Sequence, residues 1–256
     1  MVSLRGRYGG ITGQYDIGPL MRRRVAEAIV RKAGLWPGDV VLDVGCGDGL
    51  LASAVGRAFT KCRVAALEEN PKFLKLAREN ARLELTANRV GHIRCDLTDI
   101  PFRDESIRIA MAGFAFHRVK SDPLPVLAEI HRVLEWYGKL MVVELDFTRS
   151  RAPGRIPNRN PFDEETLAGM KEMGWGKIQV QKLDILRDGT LLNLITAKRF
   201  DPEMEEGDED EEDEDFEDDD EDLDEDEDED DEEEEEEEAP PPPPKRKAAA
   251  KGKGKG

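Results

Sequence analysis

The stretch Val40-Val-Leu-Asp-Val-Gly-Cys-Gly-Asp-Gly-Leu50 decides the fold. A β-branched run bounded by Pro37-Gly38 enters it, and Leu51, Val55 and Ala58 leave it at helical spacing. Between the two periods, Gly45, Gly47 and Gly49 stand two residues apart. Glycine tolerates positive φ and lets a backbone come close to a ligand, so a glycine series between strand and helix describes a tight turn that cradles something. In an open α/β sheet a nucleoside-type ligand lies across the carboxyl ends of the strands. Glu68 ends the next strand, where a carboxylate can accept both ribose hydroxyls.

The alternation continues outward. Upstream, Met21, Val25, Ala28 and Ile29 recur at helical spacing, and Gly34 closes the run. Downstream, Arg63–Leu67, Val90–Ile93, Ile107–Met111 and Lys139–Leu145 read as strands. Phe73, Leu76 and Ala77 follow Pro71, and Leu124, Leu127 and Ala128 follow Pro123, which places each proline in a first helical turn. Residues 148–161 read as a loop rich in Arg, Pro and Asn. Asp163 caps a helix that ends near Gly174, with Glu164 and Glu165 in its first turn. Two last strands, about 177–184 and 190–198, are joined by Arg187-Asp-Gly189, a hairpin signal. The expectation is an α/β fold of seven strands, five parallel and two in an antiparallel C-terminal hairpin, with helices on both faces.

Charge divides the chain in two. Its 256 residues carry a net charge of -19. Residues 201–256 hold 33 acids and 6 bases, a net of -27, which leaves +8 on residues 1–200. The expected organisation is one folded domain over 1–200, a disordered acidic tail over 201–238, and a disordered proline spacer with a basic end over 239–256. No apolar run is long enough to span a membrane, and the first residues lack the apolar stretch of a secretory signal. Cys46, Cys62 and Cys95 are too few and too scattered for a disulfide scaffold or a zinc site, and a reducing cytoplasmic location is the expectation.

Two features argue against a nicotinamide dinucleotide. The third glycine of the G-x-G-x-x-G fingerprint is replaced by Leu50, and Asp43 at the mouth of the loop would repel a pyrophosphate. The same acid suits a ligand with a positive amino group. No Gly-Lys-Ser/Thr follows, which excludes a P-loop.

Five stretches in order resemble the class I S-adenosylmethionine-dependent methyltransferases, from about Tyr15 to Arg199. They are Leu42–Gly49, Leu67–Pro71, Cys95–Phe102, Phe114–Val119 and Glu129–Leu134. Within the class the sequence is most similar to the small-molecule branch that includes quinone-biosynthesis C-methyltransferases. The resemblance implies a Rossmann-like seven-stranded sheet, S-adenosyl-L-methionine as cofactor, and methyl transfer to a small-molecule acceptor. It also implies that Asp43 and the backbone of Gly45 and Gly47 hold the methionine portion, with Asp48 lining the loop. Glu68 would take the ribose hydroxyls, Asp96 the adenine amino group with the Leu97 amide beside it, and Ala112 the methionine end. The sequence departs from the pattern at Glu135-Trp-Tyr-Gly138, which keeps one glycine of the usual Pro-Gly-Gly turn, at Glu68 where Asp is commoner, and at Gly113.

No catalytic residue and no metal ligand is assigned. His117 follows the fourth strand, where it reads as structural or pocket-lining before it reads as a base; His92 and His131 read as structural. Arg5, Arg7, Arg22–Arg24, Arg149, Arg151, Arg155 and Arg159 would flank the acceptor side, where they read as a site for an anionic acceptor or a nucleic-acid backbone; methyl transfer to RNA or to a basic protein stays open as an alternative. Ala112-Gly-Phe-Ala115 lacks the (Asp/Asn)-Pro-Pro-aromatic tetrad of amino-directed nucleic-acid methyltransferases, and no Pro-Cys pair supplies a cytosine nucleophile. A third reading is non-catalytic, a cofactor-binding body whose acidic tail binds basic partners.

The tail offers only Met204, Phe216 and Leu223 as sizeable apolar side chains, too little to offset its ordering entropy. Truncation after Phe200 is expected to leave the melting temperature unchanged within about 2 °C in a calorimetric scan, the shift of less than about 1 kcal/mol. A truncated chain that no longer melts cooperatively would move the domain boundary into the tail.

Overall fold

The computed structural model describes residues 19–119, 122–146, 160–183 and 192–200. The elements run α1 (Pro19–Lys32), β1 (Val40–Val44), α2 (Leu50–Ala58), β2 (Arg63–Leu67), α3 (Pro71–Leu83), β3 (Val90–Ile93) and β4 (Ile107–Gly113). A 3-10 turn (Phe116–Arg118), α4 (Leu124–Val133), β5 (Leu134–Leu145), α5 (Glu164–Glu172), β6 (Trp175–Leu183) and β7 (Leu192–Arg199) complete them.

The helices end where local chemistry ends them. Asn70 accepts a hydrogen bond from the Lys72 amide at 3.0 Å, and Pro71 opens α3 behind it. Asp163 accepts from the Thr166 amide at 2.9 Å and starts α5. Gly34 and Gly174, at φ +64° and +90°, turn the chain after α1 and α5.

The strands form one sheet in the order β3-β2-β1-β4-β5-β7-β6. β1 to β5 run parallel, and β7 is antiparallel to both of its neighbours. Consecutive residues of each central strand are buried on opposite faces: Val41 and Leu42, Val64 and Ala65, Ile109 and Ala110, Met141 and Val142. One face packs against Val25, Ile29, Val55 and Leu74, and the other against Leu127, Ile130 and Met170. Burial on both faces explains why the strands read as near-continuous apolar runs. The chain steps from β1 to β2 on one side and β4 lies on the other, so the sheet order reverses at the carboxyl ends of β1 and β4. A crevice at such a reversal is where open α/β sheets place ligands.

One local expectation is adjusted. β5 begins at Leu134 rather than Lys139, because Leu134 already pairs with Ile107 before the regular ladder resumes at Ile109 and Lys139. The intervening Glu135-Trp-Tyr-Gly138 is a bulge with Tyr137 at φ +62°. A Cβ on Gly138 would sit 2.8 Å from the Glu135 carbonyl, which is why one glycine of this turn is kept. The turn at Arg187-Asp-Gly189 falls outside the described residues, though its two flanking strands pair antiparallel as expected.

His92 and His131 have structural settings. Burial lowers the pKa of both below the ordinary 6.5, with Arg78 and Arg199 respectively acting in the same direction. His131 packs edge-on against Trp175, ring centres 5.0 Å apart. A base with a depressed folded pKa stays neutral in the fold and takes up its proton more readily in the unfolded chain. Stability is therefore fully present above the unfolded value of 6.5 and is lost as pH falls through the folded values. Urea midpoints are expected to fall as pH drops below 6.5, and His131→Gln should flatten that dependence. An unchanged slope in the variant would remove His131 from the account.

Candidate functional site

The glycine loop is strained into shape at two places. Gly45 and Gly49 have φ of +67° and +76°. A Cβ on Gly45 would lie 2.8 Å from the Ala115 Cβ, and one on Gly49 would lie 2.9 Å from the Ala77 Cβ. Only glycine fits both the conformation and the space. Gly45 thus brings the loop after β1 against the segment that follows β4, and Leu97 closes in from the loop after β3.

Acids crowd this end of the sheet. Asp43, Asp48, Glu68, Glu144 and Asp146 are all buried, at 6% exposure or less. Buried carboxylates persist only when charge or hydrogen bonds satisfy them. Asp43 accepts from the Ala52 amide at 2.9 Å, in the first turn of α2, where the helix dipole favours an anion. Glu68 accepts from the Gly47 amide and from the Asn70 amide, each at 3.0 Å, and so braces the loop from the end of β2. Asp48 pairs with Arg22 of α1 at 2.8 Å, while the Asn80 side chain donates to its carbonyl at 2.7 Å.

The loop after β3 is held differently. Asp96 is exposed and accepts from the Thr98 amide at 2.9 Å and the Thr98 hydroxyl at 2.8 Å. Those two donors hold its carboxyl below the ordinary carboxylate value. The Leu97 amide points to Glu69 at 3.4 Å. Further along, Arg132 donates to the Ile100 and Phe102 carbonyls at 2.9 and 3.0 Å, and Glu129 accepts from the Ile100 amide at 2.8 Å. The Glu129-Ile-His-Arg132 stretch of α4 therefore anchors this loop. Burial first, with Asp96 and Glu69 adding to it, pushes the Cys95 thiol up to about 11, so no thiolate nucleophile stands here.

A second group lies beyond Gly113. Phe114 takes φ +56°, and its amide donates to the Val143 carbonyl at 2.8 Å. The reversed chain then offers the Phe116 and His117 amides to Glu144 Oε1, at 2.7 and 3.3 Å. His117 Nδ1 meets Glu144 Oε2 at 2.9 Å. The expected residues Asp43, Gly45, Gly47, Asp48, Glu68, Leu97 and Ala112 thus come together around the carboxyl ends of β1, β2 and β4, with Asp96 on the flanking loop. Glu144 joins this group and is a residue that sequence reasoning misses. The signal that could have found Glu144 is an acid inside the apolar run Leu140–Leu145, which demands a buried partner. Arg22 and Arg23 are engaged in ion pairs with Asp48 and Glu84 rather than presented to an acceptor. Arg5, Arg7 and the arginines of 149–159 lie outside the described residues.

Residues 42–142 match the family model of a methyltransferase domain. The strand order above, with the solved structures that superpose on it, gives the described chain a Rossmann-like methyltransferase fold. Among similar proteins is the 2-phytyl-1,4-naphtoquinone methyltransferase of Nostoc sp. strain PCC 7120, 29% identical over 53% of this chain and 56% of the relative. The chain thus spans little more than half the length of that relative. A SAM dependent methyltransferase from Aquifex aeolicus superposes with a TM-score of 0.56 at 22% identity, covering 71% of this chain and 94% of that one. The cyclase SpnF superposes with a TM-score of 0.59 at 18% identity, covering 73% and 87%.

Replacing Glu144 is expected to be costly. Glu144→Ala removes the acceptor of two buried amides and of the His117 ring, and should lower unfolding free energy by about 3–5 kcal/mol in urea titrations. Glu144→Gln keeps one carbonyl acceptor and should lose less. A loss below about 1 kcal/mol for the alanine variant would mean that the corner at 114–117 stands without it.

Proposed function

We propose that the chain is an S-adenosylmethionine-dependent methyltransferase acting on a small-molecule acceptor. One observation carries the reading: a glycine loop braced by Glu68 opens at the strand-order reversal, in a crevice rich in buried acid. Those residues fit the cofactor. Close backbone approach at Gly45 and Gly47 suits a compact amino-acid moiety, and Asp43 and Asp48 suit a ligand of positive charge. A carboxylate accepts about four hydrogen bonds, so bracing the loop is compatible with Glu68 also taking ribose hydroxyls. Asp96 and Leu97 would meet the adenine, and Ala112 would border the methionine end.

When bound, the cofactor supplies a sulfonium methyl that is already electrophilic, so positioning carries much of the catalysis. The protein's part is to hold donor and acceptor in line and to keep water out. His117 follows Ala115 by two residues, and Ala115 abuts the glycine loop. Glu144 Oε2 meets Nδ1 at 2.9 Å and fixes the ring in the corner that follows β4. We therefore assign His117 to the acceptor side as the group that takes up a proton shed by an acceptor on methylation. The quinone methyltransferase among its relatives supports a ring-type acceptor.

Isothermal titration is expected to show S-adenosylmethionine binding by the full chain, and Glu68→Ala should weaken it by about 1.5–3 kcal/mol. Absence of binding by the folded protein would end the reading. Methyl transfer from a radiolabelled donor to a 1,4-naphthoquinol should be lost in His117→Asn while cofactor affinity stays within about twofold.

A further inference from the structure

The opposite end of the sheet has a different chemistry. Along the amino edge, Arg89 precedes β3, Arg63 opens β2, Arg108 stands near the start of β4, and Lys139 and Lys198 pair across β5 and β7. At about 4.8 Å per strand this row of cations extends about 24 Å. No carboxylate among the described residues forms an ion pair with Arg63, Arg89, Lys139 or Lys198. Like charges placed directly opposite in an antiparallel pair are destabilising, so Lys139 against Lys198 is a cost that an anion would relieve. Burial, with Lys198 and then Arg108, lowers the Lys139 pKa below its ordinary value, consistent with that crowding.

Aromatic surface is interleaved with this row. Trp36 is 66% exposed, Tyr137 46% and Trp136 38%. Arg108 lies over the Trp36 ring at 4.4 Å and is fixed by Asp39 and by the Gly34 carbonyl at 3.1 Å. Arg199 lies over the Trp136 ring at 3.9 Å and is fixed by Glu105 at 3.1 Å and by the Arg132 carbonyl at 3.2 Å. At one end, Val40, Arg63, Asn88 and Arg89 line a cavity of about 300 Å³. Cations that track a backbone, held beside indole faces on which flat rings can stack, describe a surface for single-stranded nucleic acid. An acidic peptide would use the cations but leave the aromatics without a role.

We propose that this amino-edge face is a binding platform for single-stranded RNA. It lies at the other end of the strands from the candidate cofactor site and is independent of the methyl-transfer reading. RNA held there is a docked partner, not the reacting group.

The test is fluorescence anisotropy of a labelled oligouridine of about 12 nucleotides with the full chain, as a function of salt from about 50 mM upward. Binding is expected, with log K falling linearly in log salt. Arg63→Gln with Lys198→Gln should reduce that slope by about 1.4, about 0.7 for each phosphate no longer neutralised. Trp36→Ala should weaken binding about 5- to 150-fold, the equivalent of about 1–3 kcal/mol for one stacked base. The Lys198→Gln single variant should melt no lower than the parent, since it removes a like-charge pair, which separates an effect on binding from an effect on folding. No binding at the lowest salt overturns the proposal. So does equal affinity for a blunt duplex or for polyglutamate with Trp36→Ala inert, because simple charge attraction then suffices.

Discussion

Glu68 carries a charge into a place where 6% of its surface is exposed, and the loop that defines the site depends on how that charge is satisfied. Its oxygens accept backbone amides from Gly47 and Asn70. One side chain thereby joins the turn after β1 to the turn after β2. Charge-assisted bonds of this kind are stronger than neutral ones, and an unpaired buried carboxylate costs several kcal/mol, on the order of 3–5. The positive φ of Gly47 is held by the same constraint, because the carboxylate pins its amide.

The parallel sheet then sorts charge by position. Strands β1, β2, β4 and β5 deliver their carboxyl ends to one side, and the helix that follows a strand begins on that side. Helix amino ends carry partial positive charge, so buried acid is tolerated there, as Asp43 against the Ala52 amide shows. Helices end on the other side. There the exposed edge gathers Arg63, Arg108, Lys139 and Lys198 instead. One topology thus yields an acidic crevice and a basic, aromatic face about a strand length apart.

The corner at 113–117 links the two halves of the crevice. Phe114 adopts a left-handed conformation that costs on the order of 1–3 kcal/mol, offset by its own bond to Val143 and by the Glu144 carboxylate that collects the next two amides. The same carboxylate meets the His117 ring at 2.9 Å, so one buried acid of β5 ties down the whole turn after β4.

Local order was legible in the chain itself. The glycine series, the switch between periods of two and about 3.6, the Asp163 cap and the antiparallel pairing of the last two strands all follow from neighbours a few residues apart. The positions of Asp43, Gly45, Gly47 and Glu68 near one another also follow, since they end adjacent strands of a parallel unit. Glu144 with His117, Arg22 with Asp48, and Arg108 over Trp36 were not legible, because they join residues 27, 26 and 72 positions apart. Which of the scattered charges meet is set by strand order and register. Those are decided by packing both faces of the sheet at once, a constraint no local stretch of sequence contains.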